Sequence, residues 1–184
     1  IVAAITGLGA DVVALEEIEN SARFGDDRDA ALSTLVGALN TAEGAEEWAF
    51  VPSPDASSLP ASEDVIRTAF IYKKAAVEPV GASHVLVDTA FSNARAPLAQ
   101  EFKAVGGSDD ETFIAIVNHL KSKGDSDPPA TGDNANGIQG AFNGDRTRQA
   151  AALLEFAEGL QTELGTTDVF LIGDFNSYTQ EDPS

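Results

Sequence analysis

The sequence predicts an α/β sandwich built around a mixed β-sheet. Segments with apolar residues at helical spacing alternate with short apolar runs typical of buried strands, and several strand-like runs follow one another in the middle of the chain. The length of 184 residues fits a single domain, and the sequence shows neither an internal repeat nor a linker. We therefore expect one α/β unit in which helices cover a sheet of mixed strand direction.

The first third of the chain has the pattern of two helices and two strands. Apolar residues recur at helical spacing in the helical segments, and short continuous apolar runs mark the strands. In order, the expected elements are a helix over residues 2–9, a strand over 12–15, a polar loop over 17–27, a helix over 29–40 that Asp27 or Asp29 caps, and a strand over 48–51.

The rest of the chain predicts a strand meander, a long loop, a helix and a final strand. Proline, serine and aspartate over residues 52–63 mark a loop, and a glycine-rich stretch over 121–145 marks a longer one of a kind that often has a function. The expected elements are strands over 65–72 and 77–87, a loop over 88–99, a hairpin of strands 101–105 and 112–117, a helix over 145–160 capped by Asp145, and a strand over 168–172 followed by Gly173-Asp174-Phe175-Asn176.

The composition excludes several classes of site and partner. The chain has no cysteine, which removes disulfides, cysteine-ligated metal sites and thiol nucleophiles. It has no continuous apolar run of ~18 residues, so we expect no membrane insertion. The net charge of −19, from 30 acidic and 11 basic residues, means that a polyanion would bind only at a local basic groove or through a bound cation.

Three polar clusters follow predicted strands and are the candidate functional segments. They are residues 16–20 (Glu-Glu-Ile-Glu-Asn), 118–124 (Asn-His-Leu-Lys-Ser-Lys-Gly) and 173–176 (Gly-Asp-Phe-Asn). Ligands of α/β proteins bind beyond the carboxyl ends of strands, and carboxylates with an amide and a histidine there suit a hard cation such as Mg²⁺. Taken singly, each cluster has an ordinary explanation as a solvated loop, a strand-end histidine or a turn. Their occurrence in one chain favours a site.

The same clusters resemble motifs of a known superfamily. Residues 10–20 look like the segment with the metal-binding glutamate of the deoxyribonuclease-I-like endonuclease/exonuclease/phosphatase superfamily, and 117–124 is similar to the histidine segment of its large bacterial extracellular nucleases. Residues 173–176 match its GDFN signature, and 93–98 with the following Phe102 resemble the strand that presents a phosphate-binding arginine. The resemblance implies a four-layer α/β-β/α sandwich with a mixed sheet.

The resemblance implies a catalytic role for five residues. Glu17 would bind the divalent cation, and His119 would hydrogen-bond the scissile phosphate. Asp174 would orient or activate the attacking water, and Asn176 would hold the phosphate and the metal-site network. Asp64, at the start of the strand that contains Tyr72, would orient His119. The implied cofactor is Mg²⁺, with Mn²⁺ or Ca²⁺ as alternatives.

Four basic residues would bind the substrate if the resemblance holds. Arg95 would contact a phosphate next to the scissile one, and Lys121, Lys123 and Arg148 would line a polyanion groove. One position departs from the superfamily pattern, because Glu16 stands where a glutamine is usual. That extra carboxylate would either add cation affinity or face solvent.

Measured against the superfamily pattern, the chain is expected to be a partial domain. In the superfamily a strand with an asparagine precedes the first helix, and a second α/β half with a further catalytic histidine follows GDFN. The histidines of this chain are His84, in an apolar strand context, and His119. We therefore expect residues 1–184 to lack both that first strand and the C-terminal half of the domain, and to be inactive and poorly stable alone.

The leading functional hypothesis is a metal-dependent phosphodiester hydrolase. The nuclease-type histidine segment favours an extracellular or cell-surface nuclease that degrades DNA by in-line attack of water, with RNA as a further substrate. One alternative keeps the superfamily but changes the substrate to a phospholipid head group or an inositol phosphate. A second alternative, from another class, is a non-enzymatic acidic module that binds cations at a surface.

Overall fold

The computed structural model describes residues 1–108, 110–124 and 126–183. Within these residues the chain forms three α-helices and seven β-strands. The helices are α1 (Val2–Leu8), α2 (Ala30–Glu43) and α3 (Asn143–Leu164), and the strands are β1 (Val12–Glu19), β2 (Trp48–Phe50), β3 (Ile66–Lys73), β4 (Val77–Val85), β5 (Arg95–Ala104), β6 (Thr112–His119) and β7 (Val169–Asp174). None of these helices has the length and apolar character needed to cross a membrane.

The strands form two sheets that pack face to face between outer helices. One sheet has the order β1-β3-β2 and is antiparallel, and the other has the order β4-β5-β6-β7 and ends in a parallel pair. The ring of Phe70 on β3 meets that of Phe102 on β5 edge to face, with 5.9 Å between the centroids, which joins the sheets. Helices α1 and α2 cover the first sheet and α3 covers the second, so the expected α/β-β/α sandwich with a mixed sheet is confirmed.

Alternation of side chains explains how each sheet buries both faces. On β3, Phe70 packs between the sheets while Ile71 packs under the helices α1 and α2. On β6, Val117 faces the other sheet while Ile116 packs under α3. Because consecutive residues point to opposite faces, a strand buried on both sides must be apolar at nearly every position. That requirement produces the continuous apolar runs from which the strands were predicted.

The first strand continues further than the sequence indicates. Residues 17–19, predicted as a polar loop, belong to β1, and Ile18 and Glu19 pair with β3 beyond a bulge that follows Leu15. Glu17 lies in this bulge with a positive φ of 57°. A bulge inserts an extra residue and redirects side chains, which is why the polar pattern hides a strand here.

The start of β5 also differs from the prediction. Residues 95–99, predicted as part of a loop around Pro97, are the first half of β5. The register between β5 and β6 is irregular between Arg95 and Leu98, and this irregularity accommodates a proline, which has no N–H to donate. The carbonyl of Pro97 still accepts the N–H of Leu86, at 3.0 Å.

Two aspartates predicted as helix caps have other partners. Asp29 occupies the N-cap position of α2 without capping it, and its carboxylate binds Ser53 and Arg67 instead. Helix α3 begins at Asn143, so Asp145 lies inside its first turn. The spacing of apolar residues predicts both helices. The orientation of a short acidic side chain, in contrast, depends on hydrogen-bond partners that can lie far away in the sequence.

Gly173 is the position at which β7 approaches β6 most closely. It has a φ of 130°, and a Cβ added there would lie 2.0 Å from the carbonyl oxygen of its register partner Asn118 and 2.9 Å from a carboxylate oxygen of Glu16. Only glycine can occupy this position, because both the backbone conformation and the free space exclude a side chain.

We expect Gly173→Ala to lower the free energy of unfolding by more than about 2 kcal/mol, because β7 must move away from β6. Thermal and denaturant melts measure the loss. Gly159→Ala is the control, because Gly159 lies in α3 with open space around it, and alanine there should leave stability unchanged or slightly raised. Equal stabilities for the two variants would contradict the assigned close approach.

Candidate functional site

The parallel pairing of β6 with β7 brings His119 and Asp174 together. They are register partners at the carboxyl ends of the two strands, and His119 Nε2 lies 3.9 Å from Asp174 Oδ2. The histidine side chain is 6% exposed and the aspartate side chain 50% exposed, so the pair joins a buried ring to an accessible carboxylate. The N–H of Leu120 donates to the Asp174 carbonyl at 2.9 Å and continues the pairing beyond the histidine.

The turn after β7 holds Asp174 and Asn176 in fixed orientations. Asp174 Oδ1 accepts the N–H of Asn176 at 2.8 Å, and Asn176 adopts a left-handed conformation with a φ of 49°. Asparagine tolerates that conformation better than most residues, and aspartate commonly accepts from the backbone two residues on. Asn176 Nδ2 also donates to the carbonyl of Leu120 at 3.0 Å, which ties the GDFN turn to the end of β6.

Arg95 reaches the same end of the sheet from the opposite side of β6. It is the β5 register partner of His119, and its Nη2 lies 3.3 Å from Asp64 Oδ2. The backbone carbonyl of Asp64 accepts the Nδ2 of the buried Asn20 at 3.1 Å. Asp64 therefore positions Arg95 and is itself tied to the segment that follows Glu17.

The expectation that Asp64 orients His119 is corrected by this arrangement. The Asp64 carboxylate pairs with Arg95, because the residue lies just before β3, where the guanidinium group is within reach. His119 Nδ1 and Asn118 Oδ1 are both buried and have no hydrogen-bond partner among the residues that the structure describes. His119 Nδ1 can therefore still form a hydrogen bond, while Nε2 is the ring nitrogen on the side of Asp174.

Two consecutive glutamates reach the site from β1. Glu17 is exposed at the bulge, and Glu16 is half-buried with a carboxylate oxygen against Gly173. Burial raises the pKa of Glu16 above its ordinary value, and the nearby carboxylates of Asp174 and Glu17 raise it further, while His119 and the N–H of Asp174 oppose the rise. Glu16 thus packs against Gly173 and does not extend fully into solvent, and its contribution to cation affinity stays a prediction.

The carboxylates at the site suit Mg²⁺, which keeps several water ligands, better than a metal ion that protein side chains alone would hold. No group of three or more His, Cys, Asp or Glu side chains in the described ranges is placed to hold a metal ion by itself. Mg²⁺ commonly takes one or two carboxylates and completes its shell with water and substrate phosphate oxygens. Glu17 and Asp174 are exposed carboxylates of that kind, and each interacts electrostatically with Glu16.

The two lysines after His119 have different surroundings. Lys121 Nζ lies 4.5 Å from the centre of the Phe142 ring and remains close to the end of β6. Lys123 Nζ contacts both carboxylate oxygens of Glu181, at 2.6 and 2.7 Å, and lies 4.0 Å from the centre of the Tyr178 ring. The charge of Lys123 is thus already matched, which weakens its predicted role in a polyanion groove.

Arg148 is likewise neutralised by neighbouring carboxylates. Its guanidinium group contacts Asp133 at 2.6 Å and Asp145 at 2.7 Å, and these hydrogen bonds raise its pKa. A fixed cation between two anions adds little positive potential toward a polyanion. The predicted groove is therefore less basic than the four residues suggest.

The sequence analysis missed the residues that support the site from beneath. Asn20 is fully buried, and its Oδ1 accepts from Arg28, which pairs through both its Nη atoms with Glu63. The segment around Glu63 and Asp64 is thereby fixed to β1. The sequence signal was weak, because a buried asparagine in a polar stretch looks like a turn residue.

No protein-family model and no curated protein sequence matches the chain. Solved structures do match. An endonuclease/exonuclease/phosphatase family protein from Bacteroides thetaiotaomicron gives a TM-score of 0.61 at 13% identity, over 99% of this chain and 55% of that one. The human Nocturnin catalytic domain with bound sulfate gives 0.57 at 19% identity, over 97% and 56%. ANGEL2, a 2′,3′-cyclic phosphatase, gives 0.58 at 13% identity, over 97% and 43%.

These matches confirm the fold that the resemblance implied. The two sheets and outer helices are those of the endonuclease/exonuclease/phosphatase fold, and the chain spans about half the length of the solved structures it matches. At identities of this size the likeness concerns the fold alone.

We expect Glu16→Gln to raise thermal stability at neutral pH, measured with a chelator present. A carboxyl whose pKa is raised by folding favours the folded state less as pH rises through the interval above its ordinary value of about 4.3. Glutamine keeps an acceptor for the N–H of Asp174 and removes the charge. The gain should disappear near pH 4, where Glu16 is largely protonated. A gain of equal size at both pH values would exclude this electrostatic origin.

Proposed function

We propose that the protein is a metal-dependent phosphodiester hydrolase that acts on DNA. The observation on which this proposal mainly depends is the meeting of His119, Asp174 and Arg95 at one end of the sheet, where β6 and β7 end and the antiparallel β5 begins, in a fold shared with hydrolytic enzymes. A donor, a carboxylate and a guanidinium group around one accessible point are the groups that phosphodiester hydrolysis requires.

Each residue has a distinct part in the proposed reaction. Arg95 binds a non-bridging phosphate oxygen, and Asp64 holds its guanidinium group in place. His119 donates from Nε2 to the phosphate as negative charge develops in the transition state. Asp174 orients the attacking water opposite the leaving oxygen, and Asn176 keeps the turn rigid. A Mg²⁺ ion held by Glu17 would supply charge neutralisation at the phosphoryl group.

The nucleic-acid substrate is proposed from local features in an acidic chain. The sequence after His119 resembles that of extracellular nucleases. Lys121 Nζ contacts Ser122 and the Phe142 ring, and no carboxylate of the described residues pairs with it. Lys123 and Arg148 would contribute only if a polyanion displaced their carboxylate partners. We also propose an extracellular or cell-surface location, on the same resemblance.

A second candidate is hydrolysis of a smaller phosphate ester. It is favoured by two structures of the same fold, ANGEL2, a 2′,3′-cyclic phosphatase, and the mannosyl-6-phosphatase Bt3783 of Bacteroides thetaiotaomicron, which matches with a TM-score of 0.58 at 12% identity. A phospholipid head group or an inositol phosphate falls in this class. A cation-binding module without activity is the remaining alternative.

Plasmid degradation with Mg²⁺ and with EDTA tests the proposal, and it is measured on the full-length protein because residues 1–184 alone are expected to be inactive. Loss of supercoiled plasmid only with Mg²⁺ supports the nuclease function. Phosphate release from small esters without plasmid cleavage would transfer the assignment to the second candidate. Cation binding with neither activity would support the non-enzymatic module.

His119→Ala should lower kcat by about 10²–10³ while changing KM little, because the lost donor acts mainly on transition-state charge. Steady-state kinetics on an oligonucleotide substrate measure both constants. His84→Ala is the matched control, because His84 lies on β4 and pairs with β5 away from the site. A His119→Ala enzyme within a few-fold of the wild type would give His119 a structural role.

Glu17→Ala should abolish Mg²⁺ or Mn²⁺ binding measured by isothermal titration calorimetry, because it removes an accessible carboxylate at the site. Glu43→Ala, at the exposed end of α2, removes the same charge elsewhere and should leave the titration unchanged. Unchanged cation binding in Glu17→Ala would remove this residue from the metal site.

A further inference from the structure

A cavity of about 100 Å³ lies beside Arg95, and neither His119 nor Asp174 lines it. We call it the Arg95 pocket, and its relevant walls are Arg28, Ile66, Leu86, Asp88, Phe91 and Arg95. It forms where the start of β3, the end of β4 and the start of β5 meet. The sequence analysis assigned roles to Arg95 and Asp64 but predicted no pocket beside them.

The charges around the Arg95 pocket are already balanced. Both Nη atoms of Arg28 pair with the carboxylate of Glu63, and Arg95 pairs with Asp64. Arg28 and Arg67 are matched by Glu63 and Asp29, and Arg95 is assigned to the phosphate at His119, so no guanidinium group remains to hold a second phosphate in the pocket. Its occupant should therefore be a neutral group.

The walls of the pocket favour a flat ring that has hydrogen-bonding edges. Ile66, Leu86 and Phe91 supply apolar surface, and guanidinium planes stack well on aromatic rings. The carboxylate of Asp88 is an acceptor at the wall for ring or amino N–H groups. An apolar cavity of about 150 Å³ holds one benzene molecule, so the Arg95 pocket, at about 100 Å³, cannot enclose a six-membered ring and admits only the edge of one.

Arg95 connects the pocket to the reaction centre. It lines the pocket and is also the register partner of His119 on β5. A group in the pocket would therefore be linked through a short spacer to a phosphate at His119. A nucleotide has this construction, with a sugar between its base and its phosphate.

We propose that the Arg95 pocket binds the base of the nucleotide whose phosphate lies at His119, with a preference for the single ring of a pyrimidine. This inference rests on the proposed phosphodiesterase function, because it takes the position of the phosphate from it. The pocket would give the hydrolase a preference for sequence at one position beside the scissile bond.

Equilibrium titration tests the pocket separately from catalysis. With EDTA present, uridine 5′-monophosphate should bind about tenfold more tightly than ribose 5-phosphate, since stacking of one base contributes at this level. Adenosine 5′-monophosphate should bind less tightly than the uridine nucleotide, because a larger part of its double ring stays outside the cavity. Shifts of the Phe91 ring signals in NMR spectra locate the bound base.

Two rim substitutions and one control complete the test. Val87→Trp fills the pocket from a residue that is 59% exposed, and it should remove the preference for uridine 5′-monophosphate over ribose 5-phosphate. Ser92→Trp, also at an exposed rim position, should act in the same way. Val105→Trp changes a valine that is 48% exposed beyond the far end of β5, and it should leave the preference intact.

Equal affinities for the uridine nucleotide and ribose 5-phosphate would overturn the base pocket, as would a preference that survives both rim substitutions in folded protein. Tighter binding of the adenosine nucleotide would overturn the single-ring assignment. Base-dependent binding without DNA cleavage would refute the proposed function and not the pocket, because the titration involves no turnover.

Discussion

Gly173 and Asn118 approach each other more closely than any side chain at position 173 would allow, and the geometry of the site depends on that approach. It keeps β7 parallel to β6 and in register up to the last residue of each strand, where His119 and Asp174 face one another. It also leaves room for the carboxylate of Glu16 against the glycine. A third strand, β1, thereby contributes to a centre that belongs to the opposite sheet.

Charge is arranged locally in a molecule whose overall charge is strongly negative. Arginines that line the Arg95 pocket are matched by carboxylates, as in Arg95 with Asp64 and Arg67 with Asp29. Such pairs fix the geometry of guanidinium groups more than they create positive potential. A phosphate would then be recognised by short, oriented contacts and a bound cation, with little long-range attraction to assist its approach.

The fold and most of the site were accessible from the sequence, because their signals are local. The apolar runs of β6 and β7 and the clusters at their ends predicted the strands and the meeting of His119 with Asp174. Contacts between residues that are far apart in the sequence could not be predicted. The pairing of Asp64 with Arg95 depends on where β3 and β5 begin, and the sequence gives no sign that the irregular register around Pro97 keeps β5 continuous.

The bulge in β1 places Glu17 in a left-handed backbone conformation, which costs a residue other than glycine or asparagine of the order of 1 kcal/mol or more. Selection for a more heat-resistant chain would therefore favour replacing this glutamate by glycine or asparagine. The replacement would relax the backbone and discard the carboxylate that the bulge presents at the rim of the cleft. If Glu17 holds the proposed cation, stability and cation binding oppose each other at this position, and a variant selected for stability alone would lose the cation site first.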